Sequence, residues 1–361
     1  MADMFEYLAW RGDLSFLHVP PCPVDALILS ALVYCDFAGI LPEDGAAPVA
    51  LQDAAEAFLA LPDPETRVRV KNDLRLLEAA AAAPRFRDLR LGFYRSILIP
   101  EADTQFAAMA AFLPDGTVFL VFRGTDYSLT GWKEDFNMTF SDSVPAQREA
   151  AAYTAEFASR YPVLLRLCGH SKGSNLAVYA AAKVPDPIRR RILQIYNLDG
   201  PGFTEGFLKD PGYLWTVPRI RTVVPESSII GILLEHEGDY TVIRSRQVGI
   251  LQHEPYSWEI LGGDFIRVKE ISGHTQFVDR TIKNWIRDMS SEERSAYVEA
   301  LFGLLSAGGA GKVQDLLHPK NIRSFFSTLK ADEETRKLLT SEFSELLKAA
   351  VITIRETNAK E

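Results

Sequence analysis

The sequence is poor in cysteine, in basic charge and in unbroken apolar runs, and each shortage excludes something. Only three cysteines occur, Cys22, Cys35 and Cys168, an odd number with no metal-binding spacing. That count argues against a disulfide scaffold and points to a reduced, cytoplasmic protein, with Cys168 as a small core residue inside an apolar strand. Acidic residues outnumber basic ones, for a formal net charge of −9. A nucleic-acid or anionic-membrane binder carries a basic face, so neither is expected as a partner. The run Arg189-Arg190-Arg191 reads as a solvated strand edge. The longest apolar stretch, DALILSALVYCDFAGILP, contains Asp36 and is too short to span a bilayer. The opening MADMFEYLAWRGD lacks the basic start and small-residue cleavage site of a secretory signal.

What the sequence does hold is an ordinary globular share of apolar residues, 47% of 361, enough for a large core. Residues 25–41 carry apolar positions at helical spacing with Asp25 in the N-cap region, and 64–83 read as a second helix stopped by Pro84. RLGFYRSILIP, FAAMAAFLP and GTVFLVFRGTD read as three successive strands with a hairpin turn at 113–116. Then helix 146–160, strand 162–168, helix 174–183, strand 191–198 and strand 219–224 alternate. Near-continuous apolar strands between helices predict a parallel α/β sheet. Shorter strands follow at 240–245, 256–260 and 264–271, and from about 276 the chain reads as helical. The glycine-rich 306–312 lacks a preceding strand and reads as a helix–helix linker, not a phosphate loop. The expected division is an α/β domain over 1–290 and a helical extension over 291–361.

Gly169-His170-Ser171-Lys172-Gly173 matches G-x-S-x-G, a turn that lifts a serine hydroxyl above the carboxyl edge of a sheet. Its context fits: VLLRLC before it reads as a strand, and NLAVYAAAK after it as a helix docked through Ala177 and Ala181. Ser171 is therefore the candidate nucleophile, with the Lys172 amide as one oxyanion donor. The second donor is expected from the turn after VFLVF, at Thr125, with Arg123 and Asp126 bracing that turn as an ion pair.

A serine hydroxyl needs a base, and the base needs a carboxylate. Among the downstream histidines His274 is favoured, after GDFIRVKEI and before a helix. His253 in LQHEPYSWEI is the alternative, and His236 reads as a surface residue. His170, inside the elbow, is expected to point away from the hydroxyl or to pack beneath it. For the acid, Asp199 in YNLDGPGF is slightly preferred to Glu226, because Gly200 and Gly202 leave room for backbone approach. Segment 127–150 is a candidate lid. No cofactor is implied, and no His, Cys and Asp cluster has metal spacing.

VFRGTDYSLTGWKEDF followed by GHSKGSNLAVYAA resembles the class 3 lipase pattern. WRGDLSF, DALILSALVYCDF, GHSKG-x-NLAVYAA, NLDGPGF, VPESSIIGILLEH and QHEPYSWEI are similar to the bacterial Mbeg1-like family, over roughly residues 5 to 290. The resemblance implies an α/β-hydrolase fold, Ser171 as nucleophile, Thr125 and Lys172 at the oxyanion hole and a histidine near His274. It also exposes a departure. Matching RIRTVVPESSII to the lipase strand puts Ser228 where the acid usually stands, so Glu226 or Asp199 substitutes or the triad is incomplete. The reading is a serine hydrolase acting on a small acyl ester or lipid. A catalytically silent scaffold and an acyltransferase using the same serine are the competing readings.

Overall fold

A computed structural model describes residues 2–43, 46–126, 128–228, 230–232, 234, 238–272, 281, 289–312, 315–316, 318–333 and 335–340. Eight strands form one sheet in chain order: β1 (Val49–Ala50), β2 (Arg90–Ile99), β3 (Thr104–Phe112), β4 (Val118–Phe122), β5 (Leu165–His170), β6 (Ile192–Leu198), β7 (Ile220–Pro225) and β8 (Tyr240–Ile243). The first four pair antiparallel and β4 to β8 pair parallel. The segments that follow β4, β5, β6, β7 and β8 therefore all leave the same edge of the sheet. This is the architecture of an α/β-hydrolase fold.

The central strands β3, β4 and β5 are almost wholly buried because both faces are covered, and their side chains alternate between two cores. On one face Phe119, Val121, Cys168 and Leu198 pack against α1 (Met4–Arg11), α2 (Pro23–Leu32), α3 (Leu51–Leu59) and α4 (Lys71–Ala82). On the other, Val118, Leu120, Phe122 and Leu167 meet α6 (Pro145–Arg160) and α7 (Lys172–Lys183). Between these helices in the chain, α5 (Leu129–Asn137) follows the β4 turn. Short helices α8 (Asp186–Arg189), α9 (Glu205–Leu208) and α10 (Pro211–Thr216) connect the later strands. Towards the C-terminus lie α11 (Ser291–Ser306) and α12 (Pro319–Ala331).

Several expectations shift when the chain is folded. The helix read at 64–83 is interrupted: Pro64–Arg67 is a short 3-10 turn, and α4 starts at Lys71, where the Asp73 carboxylate accepts from the Val70 amide at 2.8 Å. The helix read at 25–41 ends at Leu32, and Asp25 lies in its first turn, accepting from the Cys22 amide. Its carboxylate also pairs with Arg85, both side chains fully buried. The Arg189-Arg190-Arg191 run is not merely a solvated edge. Arg189 donates to the Ala182 and Val184 carbonyls at the end of α7, and Arg191 to those of Ala158 and Tyr161 at the end of α6. Both guanidiniums satisfy carbonyls that a helix end leaves open. The strands read at 256–260 and 264–271 shrink to a two-residue hairpin, β9 (Ile260–Leu261) with β10 (Asp264–Phe265). The helix read just after 276 lies outside the described residues. Among the described residues no helix is long and apolar enough to cross a membrane.

Candidate active site

The elbow is built on backbone contact. Ser171 has φ 58° and ψ −136°, a conformation that L residues seldom adopt. A Cβ on Gly169 would stand 2.2 Å from the Gly173 carbonyl carbon, and one on Gly173 would stand 2.1 Å from the Phe122 oxygen. The two glycines let β5, α7 and the end of β4 approach within contact distance, which is why the motif needs both. Ser171 is part-exposed, while His170 and Lys172 on either side are buried.

The turn after β4 runs directly beside it. A Cβ on Gly124 would stand 3.1 Å from Ser171 Cβ and 2.6 Å from the His170 carbonyl oxygen. Thr125 is the next residue, and its hydroxyl donates to Asp135 Oδ2 on α5 at 2.6 Å. Arg123 and Asp126 form the expected ion pair at 3.5 Å. α5 docks so closely that a Cβ on Gly131 would be 2.9 Å from Thr125 Cγ2.

From the end of β6, Asp199 is fully buried and adopts φ 56°. Its amide donates to the Val223 carbonyl at 2.8 Å, extending the β6–β7 ladder by one residue before the chain turns away. One carboxylate oxygen, Oδ2, meets His253 Nδ1 at 2.7 Å. The other, Oδ1, accepts from the Ser228 hydroxyl. Ser228, at the position after β7 where the lipase pattern has its acid, is itself fixed by accepting from the Gly231 amide at 2.9 Å. Ser228, after β7, thus holds the carboxylate that leaves the end of β6. Glu226 bonds through its backbone to Ile243 and Ser272; it is not the carboxylate paired with His253.

His253 closes the 3-10 turn Gly249–His253 after β8. The loop is tied down on three sides. Arg69 grips Glu254 through two bonds of 2.9 and 2.7 Å. The Trp258 indole donates to the Gln252 carbonyl at 2.9 Å. His170 Nε2 donates to the His253 carbonyl at 2.8 Å, and the two rings lie 4.6 Å apart. His170 therefore braces the residue that carries the neighbouring imidazole. Burial, then the nearby His253 and Arg69, holds its pKa well below the usual 6.5, so it stays neutral. With Nδ1 of His253 directed at a carboxylate, Nε2 is the ring nitrogen left to exchange a proton with a neighbouring group.

Of the sequence-derived candidates, the structure gathers Ser171, Lys172, Thr125, Asp199 and His253 at one sheet edge. His274 and His236 lie outside the described residues. Arg69, Glu254 and Glu134 were not singled out, and Ser228 was marked only as standing where an acid was expected, not as a partner of Asp199.

Among solved structures, native Rhizomucor miehei lipase in its propeptide complex is similar over 66% of this chain and 79% of its own, at 18% identity and a TM-score of 0.40. M37 lipase is similar over 58% of this chain and 69% of its own, at 12% identity and a TM-score of 0.37. No curated protein matches the chain. The Mbeg1-like family model matches residues 80–303, more than half of the sequence, and the chain belongs to that family.

Proposed function

We propose that this protein is a serine hydrolase that cleaves acyl esters, of small molecules or lipids, through an acyl-enzyme on Ser171. The observation that carries the reading is the buried Asp199 carboxylate on His253 Nδ1, at the sheet edge where the elbow presents Ser171. His253 rather than His274 is the base in this reading, and Asp199 rather than Glu226 its orienting acid.

The chemistry follows from those roles. His253 Nε2 takes the Ser171 hydroxyl proton as Oγ attacks the acyl carbonyl carbon. The Lys172 and Thr125 amides receive the negative charge that develops on the carbonyl oxygen. Asp199 stabilises the imidazolium without itself being protonated. The imidazolium returns its proton to the departing alkoxide, leaving an ester on Ser171. Water, deprotonated by the same imidazole, attacks that ester; the proton passes back to Oγ and the acid leaves.

Hydrolysis of p-nitrophenyl esters of graded chain length tests the reading. Wild type is expected to turn over with loss of activity in Ser171→Ala and His253→Ala. Equal rates in wild type and Ser171→Ala would refute it and favour the scaffold reading. Transfer of the acyl group to an added alcohol in preference to water would identify an acyltransferase instead.

A further inference from the structure

Lys172 follows the proposed nucleophile, yet its ammonium does not face the site. The side chain is 1% exposed and runs to Glu134 on α5, 0% exposed, with Nζ 2.9 Å from Oε2. Nζ also donates to the Gln105 carbonyl at 3.0 Å and to its side-chain oxygen at 2.7 Å. Glu134 is saturated in turn, accepting from the Ala146 amide at 2.7 Å and the Gln105 amide at 3.2 Å. A buried ion pair brings a large desolvation cost and is weak evidence for stability, so its presence here invites a functional reason.

The next residue of α5 supplies one. Asp135 Oδ2 holds the Thr125 hydroxyl, while Oδ1 is enclosed, has no hydrogen-bond partner and lies 3.9 Å from Lys172 Nζ. We propose that Lys172 is a positioning residue for the oxyanion turn. Its buried ammonium pins α5 through Glu134 and keeps the Asp135 carboxylate against Thr125, so that the Thr125 amide stays aimed beside Ser171. The inference rests on the hydrolase reading and gives the lysine side chain a role separate from that of its amide.

The charges around Asp135 agree with the geometry. Burial raises its carboxyl to about 6, opposed first by Lys172 from α7 and then by the Thr125 hydroxyl. Glu134 on the same helix pushes it up further, and His253 across the site draws it down. The Lys172 ammonium is thus the leading charge that keeps the Asp135 carboxyl from rising further. On the far side α5 is backed by α11, with Phe136 and Phe302 rings 5.7 Å apart and Lys133 paired to Glu299 at 2.7 Å. Within the segment read as a candidate lid, α5 is thus held on two sides.

The test uses p-nitrophenyl butyrate hydrolysis against pH in Lys172→Met/Glu134→Gln, Asp135→Asn and the triple variant. The paired change leaves no lone buried charge, and both backbone amides remain. The expected result is a kcat lowered about tenfold with KM within about threefold, as for weakened transition-state contacts. The acidic limb of kcat should also move, upward where the loss of Lys172 outweighs that of Glu134. Asp135→Asn is expected to lose kcat similarly, and the triple variant to fall no further, since both changes act through one group. Wild-type kcat and an unmoved acidic limb in the paired variant, or additive losses in the triple, would overturn the proposal. If the paired variant does not fold, Asp135→Asn decides: lowered kcat with an altered acidic limb supports it, and an unchanged profile overturns it. A wild type that neither hydrolyses the ester nor labels with a fluorophosphonate sinks the hydrolase reading itself, which separates the two failures.

Discussion

Asp199 and His253 stand 54 residues apart in sequence and meet at 2.7 Å, carboxylate oxygen to Nδ1. Asp199 leaves the end of β6 and His253 the loop after β8, so two parallel strands and the ties on each loop fix the pair. Replacing Asp199 by Asn keeps the shape but lets the imidazole adopt the other tautomer. The expected loss in kcat is on the order of 10³- to 10⁴-fold with the fold intact. Glu226→Gln, measured alongside in ester hydrolysis, should lie within about threefold of wild type. The reverse ranking would assign the acid to Glu226.

Ser228 is the unusual part of this arrangement, since its hydroxyl caps the second oxygen of Asp199. Removing it strips one donor from a buried carboxylate. Ser228→Ala is expected to cost about 1–3 kcal/mol of unfolding free energy. It should also lower kcat while leaving KM nearly unchanged, because Asp199 becomes free to rotate. Urea unfolding and steady-state kinetics on the same preparation read both effects. An unaltered kcat would show that Ser228 plays no part in holding the acid.

The elbow glycines make a stability prediction independent of any substrate. A Cβ at residue 173 would lie 2.1 Å from the Phe122 carbonyl oxygen. Backbone cannot yield as a flexible side chain does. Gly173→Ala should therefore cost about 3 kcal/mol or more, at the upper end of overpacking effects. Gly206→Ala, where nothing lies within 4 Å, is the control and should unfold at nearly the wild-type denaturant concentration.

His170 predicts a pH dependence. Its folded pKa is depressed below the unfolded 6.5, chiefly by burial. The unfolded chain therefore binds the proton first, and the stability contributed by neutral His170 is present above pH 6.5 and lost as pH falls below it. The limiting slope is about 1.4 kcal/mol per pH unit. Denaturant unfolding of wild type and His170→Asn at pH 7.5 and 5.5 should show the wild-type advantage shrinking with acid. A constant difference would mean that His170 takes up its proton at the same pH in the folded and the unfolded chain.

What could be read from the sequence and what could not divide along physical lines. β2 to β7 and the elbow were legible because their signals are local: apolar runs, bounding turns, and a serine between glycines where a strand becomes a helix. The break between Arg67 and Lys71 was missed because helical periodicity continues across it, and only the Asp73 cap on Val70 marks the true start of α4. Asp199 and Glu226 both follow strands at one sheet edge, and only the folded chain shows that Asp199 is the carboxylate that meets His253. The Lys172–Glu134 pair was invisible because it joins residues 38 apart whose side chains give no periodic signal. Local chemistry shows in a sequence; pairings across the sheet edge appear only when the chain is folded.

The central claim is that Ser171 is an activated nucleophile served by His253. Intact-protein and peptide mass spectrometry after treatment with a fluorophosphonate tests it most directly. The account predicts one phosphonyl adduct, located on Ser171, absent in Ser171→Ala, formed at least about 10²-fold more slowly in His253→Ala and at nearly the wild-type rate in His274→Ala. No adduct on the wild-type protein, or labelling of Ser171 that is indifferent to His253, would contradict it.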